Sequence, residues 1–529
     1  MTTPWPDDTA RAYRAAGLWT GEAIASGLPR WAELRGDRVA VTDEETTLTY
    51  GELAGRADRL ATGLRGLGLR RGDAVLLQLP NTVAFVEVLL ACLRIGVAPV
   101  LMLPAHRDHE MGAIGAHVGV RAVIVPDEWR GYDHEALAHR VRPEGASVIV
   151  AGRPHRAGSV ALDDLAAGPA APIEDPPTGS DVAVYLLSGG TTAVPKVIAR
   201  THDDYGYNVR RAVAACGYTS GTVYLAALPA GHNFPLANPG ILGTLRAGGR
   251  VVMRSSPRPD VFFAAVERER VTDTAAVPAV AVRWAEAASE SPYDLSSLRT
   301  VQVGGSMLAP EVIAAIGPAL GCAVQQVYGM AEGLVCLTRA DDSPAVRTGT
   351  QGRPISPYDE LRVIGRDGRP VAPGEEGELL VRGPYTPRGY FRAPEQNAVS
   401  FTADGWFRSG DVVRIVDGSV VVCGRVKDLI NRSGEKIAAG EIESLVQELP
   451  AVAEAAVVAV PDPVVGERVC AVVRLRPGHR LDLDEIRVHL GQRGVASFKA
   501  PERLVVVDDL PRTPVGKPDK AAIRALVGG

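Results

Sequence analysis

Strand-length apolar runs alternate with amphipathic stretches along most of the chain, which predicts an α/β architecture. Residues 73–79 (Asp-Ala-Val-Leu-Leu-Gln-Leu) and 97–103 are runs with little polar alternation, as expected of strands buried on both faces. Residues 83–94 lie between them and predict a helix, and Val182–Leu187 predicts a further buried strand. From about residue 152 to 180 the chain is rich in Gly, Pro, Ala and Asp, which predicts a surface loop joining larger units. The tempo changes over residues 360–422, where short strands break at Gly-rich turns; this predicts a small β subdomain. Beyond Asp428 the pattern predicts a helix over 440–448, strands around 455–460 and 469–475, and a helix over 483–490. A unit of about 100 residues is long enough to fold independently. There is no internal repeat.

Composition narrows the class. A chain of 529 residues exceeds one ordinary core, and 46% apolar with 22% charged residues is a globular balance. A net charge of −5 argues against a nucleic-acid binder, because little could neutralise a run of phosphates. Residues 1–11 are polar and predict no secretory signal, and Glu87, Arg94 and Pro99 spoil the most apolar stretch as a membrane span. Six widely spaced cysteines without a Cys-x-x-Cys pair predict free thiols in a reducing cytoplasm.

The strongest local signal is Ser188-Gly-Gly-Thr-Thr-Ala-Val-Pro-Lys196, directly after a predicted strand. Small hydroxyl-bearing residues let a loop close round phosphate oxygens with N–H and O–H donors, while a lysine supplies charge. Pro195 before the lysine and Val197 after it exclude a Walker A loop. A polar turn after a strand is the plainer reading of this segment taken alone.

The rest of the chain changes that balance. Tyr328-Gly-Met-Ala-Glu332, Ser409-Gly-Asp411, Gly424-Arg-Val-Lys-Asp428 and Pro511-Arg-Thr-Pro-Val-Gly-Lys517 follow the loop in order. With it, they resemble the five motifs of the adenylate-forming superfamily of acyl-CoA synthetases, peptide-synthetase adenylation domains and luciferases. Further segments, Arg200-Thr-His-Asp-Asp-Tyr205, Ala227-Leu-Pro-Ala-Gly-His-Asn233, Gln325 to Leu334 and Ile430-Asn-Arg-Ser-Gly-Glu-Lys436, look like stand-alone aryl-acid ligases acting on 2,3-dihydroxybenzoate or salicylate. The likeness spans nearly the whole chain.

The resemblance implies a large adenylating domain over 1–427 made of two α/β subdomains and a β subdomain near 360–427. It further implies a hinge at Asp428 and a mobile α+β domain over 429–529. ATP and Mg²⁺ would be needed. Ser188, Gly189, Gly190, Thr191, Thr192 and Lys196 would hold phosphates; Gly305, Val327, Tyr328 and Gly329 would face adenine; Asp411 and Arg425 would hold ribose. Glu332 would bind the metal, since Mg²⁺ keeps waters and needs few protein carboxylates. Lys517 would stabilise the charge that develops as a carboxylate attacks the α-phosphorus. His232 would gate the phosphates, and Lys436 would act in one of the two domain arrangements. The acid would lie among Asn233, Phe234, Asn238, Gly304, Ala331 and Val335, with Asn233 at its ortho hydroxyl and Asn238 at its 3-substituent.

Three departures from that family stand out. Phe234 replaces a usual tyrosine, Asn238 a usual serine or cysteine, and Ala193 a glycine of the phosphate loop. Asn238 brings volume plus a donor and an acceptor: it either reads a polar 3-substituent, the expected reading, including that of a 3-hydroxy amino- or pyridine-carboxylate, or simply shrinks the pocket. The expected product is an aryl-adenylate passed to the phosphopantetheine thiol of a carrier protein, in siderophore or antibiotic assembly. With twelve residues after Lys517, the carrier is expected in trans. An aryl-CoA ligase is the alternative, and a non-enzymatic scaffold conflicts with the presence of Lys196, Glu332, Asp411 and Lys517 together. No nucleic acid or membrane partner is expected.

Overall fold

The computed structural model describes residues 3–188, 195–365, 367–432, 435–462, 466–493, 495, 499–514 and 516–527. Two sheets form the large body. The first has seven strands, in the order Val197–Thr201, Val182–Leu187, Ala98–Leu101, Ala74–Leu77, Ala122–Pro126, Ser147–Ala151 and Ser159–Ala161; all are parallel except the first, which returns antiparallel to Val182–Leu187. The second has nine strands, and its middle six run parallel: Ala323–Gly329, Thr300–Gly304, Asp273–Ala276, Val223–Ala226, Arg250–Met253 and Val39–Thr42.

The helix Val83–Ile95 shows why the sequence packs this way. Eleven of its 13 residues are buried, in one core with side chains of both sheets, so it is apolar all round rather than along one stripe. Its one buried charge, Glu87, is neutralised by Arg56. The helix stops where Gly96 takes a left-handed conformation.

Two smaller sheets complete the molecule. Glu360–Ile364, Gly377–Arg382, Phe407–Val416 and Ser419–Arg425 form an antiparallel four-stranded sheet. A five-stranded sheet with the helices Ala439–Gln447, Leu483–Gln492 and Lys520–Val527 makes the smaller C-terminal unit, which has its own buried cores. Among the described residues two ion pairs link the units, Arg476 with Glu286 and Arg493 with Glu311 at 3.5 Å, beside packing of the helix Ala439–Gln447 on the strand Ser419–Arg425. Exposed pairs of this kind contribute about 0–1 kcal/mol each.

The predicted loop over 152–180 is more ordered than expected, for it holds the strand Ser159–Ala161 and the helix Leu162–Ala166. All six cysteines are free, as expected; Cys92, Cys336 and Cys470 are buried, whereas Cys216, Cys322 and Cys423 are only half-buried. No helix among the described residues is long and apolar enough to cross a membrane.

Candidate active site

Candidate residues converge where parallel strands of both sheets end, the place at which open α/β sheets leave a crevice. Ser188 follows Val182–Leu187 in one sheet; Gly304 ends Thr300–Gly304, and Tyr328–Gly329 end Ala323–Gly329 in the other. The base of the phosphate loop is clasped twice: Ser188 N–H donates to Lys196 O (3.0 Å), and Lys196 N–H to Ser188 Oγ (3.1 Å). Gly189, Gly190, Thr191, Thr192 and Ala193 lie outside the described residues, as does the side chain of Lys436.

A carboxylate pair of roles emerges at the floor. Asp411 and Arg425 face each other across the antiparallel strands Phe407–Val416 and Ser419–Arg425, and Arg425 Nε donates to Asp411 Oδ1 at 2.9 Å. Asp411 Oδ2 accepts from the Tyr328 hydroxyl at 2.7 Å. Each carboxylate oxygen retains a lone pair, so Asp411 can still accept two further hydroxyl groups. Glu332 is buried, and its Oε1 accepts from the Tyr390 hydroxyl at 2.8 Å. Burial pushes the Glu332 carboxyl up, opposed by Tyr390 and the charge of Lys196, whose ammonium lies 4.8 Å from the Tyr390 ring centre. Among the described residues no three metal-ligating side chains cluster, so a cation here would rely on Glu332 and on ligand oxygens.

Lys517 comes from the C-terminal unit. Its turn is closed by Thr513 N–H to Lys517 O (2.7 Å), and Gly516 at φ +83° lets the chain double back. The side chain passes over Gly304-Gly305: a β-carbon on Gly305, at φ +106°, would stand 3.0 Å from Lys517 Cε, and one on Gly304 would stand 2.6 Å from Val327 O. Glycine is required at both positions. Burial, aided by Arg425, lowers the Lys517 ammonium to about 8; Asp411 and Glu332 resist that fall. His232 is held at about 4 by burial and by the Lys517 charge, so it is neutral near pH 7. Its Nδ1 accepts from Phe234 N–H (3.2 Å), which leaves the proton on Nε2.

The short helix Asn233–Ala237 and its flanks bring the aryl-acid candidates together. Asn233 Oδ1 accepts from Tyr205 Oη at 2.8 Å. Phe234 abuts Gly304, 3.3 Å from where a β-carbon would sit. The Asn238 amide is already engaged: Oδ1 accepts from Asn208 Nδ2 (3.0 Å), and Nδ2 reaches Asn233 O at 3.4 Å. Ala331 and Val335 flank Glu332 and are tied from below. Arg200, fully buried and paired with Asp204 at 2.6 Å, donates to Ala331 O and Tyr385 O (each 3.0 Å); Tyr385 Oη accepts from Val335 N–H (3.2 Å). Asp428 ends the turn Val426–Asp428 and pairs with Arg524 at 2.9 Å, with Lys520 at 3.9 Å.

Sequence reading missed Asn81, Tyr385 and Tyr390. The Asn81 amide nitrogen donates to Ala226 O, Leu228 O and Arg254 O, and its oxygen accepts from Ala230 N–H, fixing the stem of the His232 loop. An asparagine before the apolar helix was the available signal; the tyrosines carried none.

The AMP-binding enzyme family matches residues 28–391, and its C-terminal domain family matches residues 441–517. A Streptomyces protein described as salicylyl-CoA synthase / salicylate adenylyltransferase is 52% identical, covering 99% of this chain and 97% of its own. A 2,3-dihydroxybenzoate-AMP ligase of Bacillus subtilis is 47% identical over 99% and 97%. The apo structure of Mycobacterium smegmatis MbtA superposes with a TM-score of 0.77 at 44% identity, covering 99% of both chains.

Proposed function

The chain belongs to the AMP-binding enzyme family, and we propose from that premise that it activates a 2-hydroxylated aromatic carboxylic acid with ATP and passes the acyl group to a phosphopantetheine thiol. The observation that carries this reading is the approach of Lys517 to Gly305 with Asp411, Arg425 and Glu332 around it. In the first step a carboxylate oxygen bonds to the α-phosphorus of ATP and pyrophosphate leaves. The acid is already ionised, so no base is needed and a neutral His232 is suited to shaping the phosphate side. Lys517 faces the charge that accumulates on oxygen; Asp411, shared by Tyr328 and Arg425, receives the ribose. Glu332 would hold Mg²⁺, which when bound offsets phosphate charge; Tyr390 fixes the orientation of that carboxylate.

In the second step the thiol sulfur bonds to the acyl carbon and AMP leaves. That only two exposed ion pairs link the units among the described residues is compatible with a rotation of residues 429–529 about Asp428 that withdraws Lys517 and brings Lys436 forward. A carrier protein in trans is the acceptor we favour from the motif pattern. Coenzyme A is the second reading, favoured by the name of the Streptomyces relative. ATP–pyrophosphate exchange over benzoates, aminobenzoates and hydroxypicolinates tests the activation. Product analysis with coenzyme A against a phosphopantetheinylated carrier separates the acceptors. Absence of exchange with every aromatic acid would remove the proposal.

Two expectations follow for this site. The Lys517 cation is lost as pH rises through its depressed value, so kcat/KM for ATP should fall above pH about 8. Lys517→Arg should move that limb out of range in a pH profile of exchange, even with a lower plateau.

The second concerns Asn238. Its oxygen is taken by Asn208, so it has a donor to offer a 3-substituent. Acids with an acceptor there, such as 2,3-dihydroxybenzoate, should outperform salicylate by about 5- to 150-fold, the range expected when a buried amide is left unpaired. Asn238→Ser should narrow the gap in matched exchange assays. Salicylate leading in the wild type, with the order reversed in Asn238→Ser, would instead mean that Asn238 merely fills the space.

A further inference from the structure

We propose that Tyr205 is the positioning residue that decides which polarity of ortho group the pocket accepts, by locking the Asn233 amide with its nitrogen available to the substrate. The inference rests on the aryl-acid reading above and adds the chemistry of one ring position to it.

Tyr205 is fully buried, and a buried phenol must place its hydrogen on an acceptor. Among the described residues its hydroxyl meets one partner, Asn233 Oδ1 at 2.8 Å. Were the amide turned over, its NH₂ group could give a hydrogen to the Tyr205 oxygen, but the Tyr205 hydrogen would be left buried without an acceptor. The amide is therefore held one way: Oδ1 towards Tyr205, Nδ2 free of any partner among the described residues. Tyr205 is itself fixed from behind. It lies in the first turn of His202–Cys216, a helix capped by Thr201, whose Oγ1 accepts from Asp204 N–H at 3.2 Å. The Arg200 guanidinium stands 5.0 Å from the Tyr205 ring centre and is clamped by Asp204, Ala331 O and Tyr385 O. The phenol cannot swing away without breaking that buried cluster.

An Nδ2 donor selects an ortho acceptor. In a salicylate-type acid the hydroxyl gives its hydrogen to the neighbouring carboxylate and turns a lone pair outwards. In the 2-amino twin the nitrogen lone pair is delocalised into the ring, and the outward atom is a hydrogen. Two donors then face each other, and neither is satisfied. The same lock that suits hydroxy acids excludes amino acids of otherwise equal shape.

The test compares each 2-hydroxy acid with its 2-amino twin, salicylate with anthranilate first, by ATP–pyrophosphate exchange. The wild type should favour the hydroxy acid by roughly 10-fold or more in kcat/KM. Tyr205→Phe frees the amide to turn, so the preference should shrink by about fivefold or more through a raised KM for the hydroxy acid, with the KM for ATP unchanged. Asn233→Asp keeps an oxygen for Tyr205 and offers the substrate a second one, so it should invert the preference towards the amino acid. This second variant decides the matter if Tyr205→Phe does not fold. Wild-type activity equal on the twins, a parallel loss on both in Tyr205→Phe, or no relative gain for the amino acid in Asn233→Asp would each overturn the lock. Exchange with no aromatic acid at all would instead remove the aryl-acid reading beneath it.

Discussion

Lys517→Ala is expected to lower acyl-adenylate formation by roughly 100- to 1,000-fold, the loss seen when a pre-placed electrostatic stabiliser is removed from a water-poor site. The half-buried lysine lies beside Gly305, and its charge costs stability there: desolvation holds the ammonium at about 8, well below an ordinary lysine. A charge kept in such a place is worth most against an anionic transition state. In the second step the reacting atoms are a thiol sulfur and an acyl carbon, and the proposed rotation about Asp428 removes Lys517 from them. Single-turnover transfer from supplied acyl-adenylate should therefore change by less than about tenfold. Pyrophosphate exchange measures the first step and thioester formation the second. Equal losses in both would place Lys517 in a role shared by the two steps, and the division of labour would be wrong.

Much of the framework was legible because hydrophobic pattern and local geometry agree. The strand Val182–Leu187 has its expected bounds, and Ala439–Gln447 lies within a residue of the expected helix. Such segments are buried, apolar and bounded by turn residues, so tertiary contacts only reinforce the local preference. The misses have the opposite character. Leu162–Ala166 has five residues, too few to hold a helix alone, and it forms because buried Leu162 and the backbone at Leu165 pack on the helix Tyr50–Gly66. The strand Val452–Asp462 runs past its apolar middle into Pro461 and Asp462, carried by its pairing with Gly466–Leu475 rather than by its own pattern.

The candidate site divides along the same line. Lys517, Asp411, Glu332 and Tyr328 stand in short motifs whose residue types declare their chemistry. Tyr390 and Arg200 act only through partners remote in sequence, 58 residues to Glu332 and 131 to Ala331. No local pattern announces such contacts, although Arg200 and Tyr205 lay inside a motif that the sequence offered without roles. What the motif could not convey was direction: which amide edge of Asn233 is held, and that the side-chain oxygen of Asn238 already accepts from Asn208.

Asp411→Ala should raise the KM for ATP by roughly 10- to 100-fold while kcat for exchange falls much less, because hydrogen bonds to a charged acceptor contribute about 1.5–3 kcal/mol in ground and transition state alike. The substitution removes more than the two proposed ribose contacts. The Tyr328 hydroxyl, bonded to Oδ2 at 2.7 Å, loses its acceptor, and Arg425, bonded to Oδ1, loses its counter-charge. Both effects loosen the adenine side, so some loss would arise even if ribose never touched Asp411. Sugar analogues separate the two causes. Wild-type enzyme should discriminate against 2′,3′-dideoxy-ATP, since a carboxylate built for two hydroxyls would be left with fewer partners. Asp411→Ala should treat ATP and the dideoxy analogue alike, for the acceptor of both hydroxyls is gone. Asp411→Asn, which retains one acceptor oxygen, should lie between. If Asp411→Ala raised the KM for ATP yet kept the full wild-type discrimination against the missing hydroxyls, Asp411 would be a brace for Tyr328 and Arg425, and the ribose would have to be held elsewhere.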